Sequence, residues 1–100
     1  MSLDIKISRR YVINTKDFNN VESIVELVLK DVDEKDYNKK FIMLSKLVDY
    51  SQAIELHSAL TEAISISGKD HPYLDVLNDN IDQIKTNMKL VSKKLAEMEE

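Results

Sequence analysis

A chain of 100 residues with 43% apolar side chains and a net charge of −4 is large enough for one domain with a modest core, and too apolar to stay disordered. It holds no cysteine, which excludes disulfides, thiol nucleophiles and thiolate metal sites together, and its acidic balance argues against a generic nucleic-acid binder. One glycine and one proline point to long regular elements with few tight turns.

Residues 3–13 carry Leu3, Ile5, Ile7, Tyr11 and Ile13 at period two, with Lys6, Ser8 and Arg10 between them and Arg9 interrupting. That alternation predicts a strand with one apolar face. Asn14-Thr15-Lys16-Asp17-Phe18-Asn19-Asn20 follows, rich in side chains that bond their own backbone in turns. Residues 21–30 then allow two readings. As a strand they put Val21, Ser23, Val25, Leu27 and Leu29 on one face; as a helix capped by Asn19 or Asn20 they put 21, 24, 25 and 28 together. The valines and the preceding turn favour the strand, and so a β-hairpin over residues 1–31.

Asp33 then offers an N-cap, with Asp36 three residues on as a short capping box and Val32 and Tyr37 as staple partners. No glycine or proline interrupts residues 33–67, which predicts one long helix, or two with a bend near Tyr50-Ser51-Gln52. Its apolar residues form shifting stripes: Tyr37, Phe41, Leu44 and Val48; Met43, Leu47, Tyr50 and Ile54; Ala53, Leu56, Leu60 and Ala63. A helix apolar on several sides is usually packed on several sides.

Gly68 stands where a helix-ending left-handed residue belongs, Asp70 or His71 is placed to cap the next helix, and Pro72 fits its first turn. A turn over 68–71 makes the two helices antiparallel neighbours. Over 72–98, Leu74, Leu77, Ile81, Ile84, Met88, Val91, Leu95 and Met98 recur in an unbroken heptad spacing. The acids Asp75, Asp79 and Asp82 come early and Lys85, Lys89, Lys93 and Lys94 late, as the helix dipole favours; Glu97, Glu99 and Glu100 oppose it and are expected to fray. The expected fold is therefore one domain over 1–100, mainly α within an α+β layout: an N-terminal β-hairpin, then a long antiparallel two-helix hairpin whose second helix is coiled-coil-like.

The heptad seam is an interaction surface whose partner, the same chain or another, the spacing leaves open. Val76 and Leu90 lie off that seam and sketch a weaker second face. A lone two-stranded hairpin is marginal in water and exposes two edges, so strands from a second copy are expected, giving a homodimer or higher homo-oligomer. Another protein is a further possible partner. The alternative reading is a small nucleic-acid-binding accessory protein that contacts phosphate through Lys6, Arg9, Arg10 and Tyr11. Neighbouring strand residues point to opposite faces, however, and residues 1–40 hold acids and bases in equal number.

The two histidines suit structural roles, since His57 has no carboxylate at metal-ligand spacing and His71 sits in the turn beside Asp70 and Ser67. Glu22, Glu26 and the acids of the last helix lie on solvated faces. No catalytic, metal or cofactor site is read here, and a non-enzymatic assembly protein is the expectation. With no apolar run of about 18 residues and no signal-like stretch in residues 1–10, the expected location is cytoplasmic, off the membrane.

Overall fold

The computed structural model describes residues 1–14, 20–68 and 70–98, and of Ser67 only the backbone. Strand β1 (Ser2–Ile13) pairs antiparallel with β2 (Val21–Asp33) in a two-stranded sheet. The strand reading of residues 21–30 holds because burial alternates there. Val21, Ser23 and Val25 turn inward, while Glu22, Ile24 and Glu26 face out. A helix would have put Ile24 and Val28 inward; the sheet leaves Ile24 61% exposed. The turn expected over residues 14–20 falls mostly outside the described residues, as does the fraying expected at Glu99 and Glu100. Glu97, expected to fray with them, is the last helical residue of the chain's final helix.

The hairpin extends beyond residue 31, where the sequence reading ended it. Ile5 faces Leu29 but Leu3 faces Val32, so β2 carries one extra residue, a β-bulge. Asp31 absorbs it with a left-handed backbone, φ 57°, and donates its N–H to Asp4 Oδ1 at 3.0 Å. The bulge slips the side-chain phase by one. Val32 thereby joins the odd-numbered inward residues and is almost fully buried beside Ile5 and Leu44, with Tyr37 packed on that cluster.

Asp33 does cap, but what it caps is a single 3-10 turn, Glu34–Asp36, through Lys35 N–H to its Oδ1 at 3.2 Å. Helix α1 (Tyr37–Ser67) therefore begins four residues later than expected, because Asp33 still belongs to β2. It runs unbroken through Tyr50, Ser51 and Gln52, where a bend was considered. Gln52 there turns inward and its Nε2 donates to the Ser23 carbonyl at 2.9 Å, tying helix to sheet.

Gly68 closes α1 with φ 71° and an N–H donated to the Ile64 carbonyl at 2.7 Å. His71, rather than Asp70, caps α2 (Pro72–Glu97): its Nδ1 accepts the Tyr73 N–H at 3.1 Å, and Pro72 opens the helix. Met98, counted in the expected helix, is the capping residue at its end. Contacts run in opposite order along the two helices, His57 with Asn78 and Ser51 with Met88, which fixes them as antiparallel.

Helix α1 is the centre of the molecule. Leu44, Val48 and Gln52 lie on its sheet side, and α2 covers another side. A second apolar cluster joins all three layers at the hairpin tip, where Val21 meets Leu56, Leu60, Leu74 and Leu77, with Ile13 and Tyr73 against them.

Candidate interaction surface

The sheet's inner face is made by the odd-numbered residues of β1 and of β2 up to Leu29. Along β2 these are Val21, Ser23, Val25, Leu27 and Leu29, with no charge among them. Along β1 the same face carries Arg9 between Ile7 and Tyr11. Its guanidinium donates to Ser45 Oγ at 2.9 Å and pairs with Asp49 at 3.2 Å, both on α1. In a two-stranded antiparallel sheet, each strand turns a row of backbone N–H and C=O groups away from its only partner. Both outer edges, on strands of 12 and 13 residues, are unpaired among the described residues.

Helix α1 crosses the sheet obliquely. Near the hairpin tip it covers β2, burying Val21, Ser23 and Val25, while Tyr11 and Arg9 across the ladder stay exposed. Towards the other end Ile5 of β1 is buried at 2% exposure, and Leu27 and Leu29 of β2 are only half-buried. The fully buried and the half-buried inward residues between Val21 and Leu29 therefore lie on either side of Glu26.

The outer face alternates charge and apolar groups. Lys6 pairs with Glu26 at 3.6 Å and Arg10 with Glu22, each one diagonal step across the ladder. The Glu22 hydrogen bond and charge raise the Arg10 pKa above its already high ordinary value. Ile24, Val28 and Val12 sit exposed among these pairs. Glu22 and Glu26, read from sequence as lying on solvated faces, are thus partners of strand cations.

Arg9 and Tyr11 also line a cleft of about 240 Å³ with Asp49, Gln52, Leu56 and Tyr73. Burial, and secondarily the neighbouring Tyr11 hydroxyl, raise the Tyr73 pKa above its ordinary value. The cluster Lys6, Arg9, Arg10 and Tyr11 is divided: Arg9 turns to α1 and Arg10 to the outer face. All three cations are paired with carboxylates. No continuous basic strip results.

The heptad seam is covered by its own chain. Leu74, Leu77, Ile81 and Leu95 are buried and Ile84, Met88, Val91 and Met98 half-buried, while Val76 and Leu90 stand exposed beside them. His57 Nε2 and Asn78 Oδ1 lie 2.7 Å apart and join the helices, so both histidines have structural partners. Among the described residues no cluster of three metal-ligating side chains occurs, and no helix is long and apolar enough to cross a membrane.

No protein-family model matches the chain, and neither a curated protein nor a solved structure matches it. Sequence reasoning missed the bulge at Asp31, the inward Gln52 and the exposed pair Ile24 and Val28. Only the last had a signal: both are apolar residues at even positions of an odd-faced strand.

Proposed function

We propose that the protein is a non-enzymatic assembly module that associates with further copies of itself through the edges of its sheet. The observation carrying this reading is the two-stranded sheet, whose long edges have no strand beside them among the described residues. Packing on α1 can stabilise a sheet of two strands, so the support comes from the edges: each open edge is a template for another strand. Further support comes from the shape: the radius of gyration is 16.2 Å, against about 13 Å for a compact chain of this length. Exposed Ile24, Val28, Phe41 and Ile42 add apolar surface that a partner would cover.

The alternative, a nucleic-acid contact through Lys6, Arg9, Arg10 and Tyr11, would have to break three ion pairs to free its charges. Self-association is the reading these contacts favour. Sedimentation equilibrium at tens of micromolar protein tests it. A dimer or larger species is expected, and a monomer at every concentration would end the proposal.

A further inference from the structure

We propose that the edge used is β2, paired antiparallel with the β2 of a second copy about a two-fold axis through Glu26. This rests on the self-association reading above and names its surface. The choice between edges follows from the inner face. Arg9 is an inward-pointing charge in the middle of β1, one of the devices by which edge strands are kept from pairing. From Val21 to Leu29, β2 has no such guard, and its bulge comes only beyond, at Asp31.

The register follows from complementarity. An axis through Glu26 places Ile24 opposite the partner's Val28 and Glu22 opposite the partner's Lys30, twice over. The exposed apolar side chains meet, and Glu22 faces Lys30. On the axis Glu26 faces its own copy, a like-charge contact that counts against this register and is offset where each Glu26 pairs with Lys6 of its own hairpin. On the inner face Val25 meets the partner's Leu27 and Ser23 the partner's Leu29. The axis also solves the packing of the helices. Residues 21–25 of β2, covered by α1, lie beside the partner's residues 27–31, where Leu27 and Leu29 are half-open. Each helix thus lies toward the part of the other sheet whose inward residues are only half-buried. The product is a four-stranded sheet in the order β1-β2-β2-β1, an isologous C2 contact.

The absence of native cysteine makes single-cysteine variants clean reporters. On the axis, Glu26→Cys faces its own copy at an antiparallel cross-strand Cα spacing of about 4.5–5.5 Å, within disulfide reach. Mild oxidation of Glu26→Cys is expected to give covalent dimer, as is an equimolar mixture of Glu22→Cys and Lys30→Cys. Ser8→Cys, on the same face but on β1, is expected to stay monomeric on a non-reducing gel.

Val28→Glu separates association from folding. Within its own hairpin the new carboxylate faces Lys6, but across the axis it meets Ile24 flanked by Glu22 and Glu26 of the other copy. The dimer dissociation constant is expected to rise about tenfold or more, with the circular dichroism spectrum unchanged. A dimer that Val28→Glu leaves intact, and that cross-links through Ser8→Cys rather than Glu26→Cys, would overturn the β2 edge while self-association stands. A monomer throughout would remove both.

Discussion

Asp31 shows how much one residue decides. Its left-handed backbone lets β2 gain a residue, and that gain carries Val32 from the outer to the inner face. Aspartate tolerates this conformation because its short polar side chain crowds the backbone little; a β-branched residue does not. Asp31→Val is expected to lower stability by about 1–2 kcal/mol, whereas Asp31→Gly should be neutral or stabilising, both read from urea unfolding midpoints. The bond that holds the bulge comes from the Asp31 N–H, so losing the side chain is not itself the damage.

Tyr73 makes a second residue-scale test. Its pKa is raised in the folded state, so the native protein keeps a proton that the unfolded chain releases first. Stability from this source is complete below the ordinary tyrosine range and falls as pH climbs through it. Tyr73→Phe should flatten that alkaline loss in melting temperature measured across the basic range. An unchanged slope would show that the ring is not buried as described.

At the scale of elements, α2 places apolar neighbours in opposite circumstances. Leu77 lies on the seam at 5% exposure and Val76 beside it at 56%. Leu77→Ala should cost about 2–5 kcal/mol through the cavity it leaves, and Val76→Ala should change stability by under about 0.5 kcal/mol. Equal effects in thermal or urea unfolding would mean that the seam is not the packed face. Regular 3-4 spacing predicted that face from the residues alone, but not what it packs on. An intermolecular coiled coil needs the same spacing, and here the short turn at Gly68 brings α1 alongside first. The stripes of α1 likewise told only that it is packed on more than one side. Assigning the sheet to Val48 and Gln52 required the oblique crossing.

At the scale of the whole molecule, three layers share a helix that is long for its chain, and the sheet has too few strands to finish its own edges. The tip cluster of Val21, Leu56, Leu60, Leu74 and Leu77 locks hairpin, α1 and α2 together. At the far end Ile5, Val32 and Leu44 hold sheet and α1 without α2. Association through β2 would add its contacts where this second cluster thins out, near Leu27 and Leu29.

The hinge at Gly68 and Pro72, the strands, the cap of α2 and the seam spacing were legible in the sequence, because each depends on local rules: φ freedom, a missing N–H, a period of two or of three and four. The cap expected for α1 was not, since Asp33 caps only the 3-10 turn before it. Arg9 and Arg10 were correctly expected on opposite faces for the same reason. Which cations find carboxylates, where the bulge falls, why Gln52 turns inward and which strand lies under α1 were decided only in three dimensions. Those features come from contacts between residues far apart in the chain, and no local period records the angle at which a helix crosses a sheet.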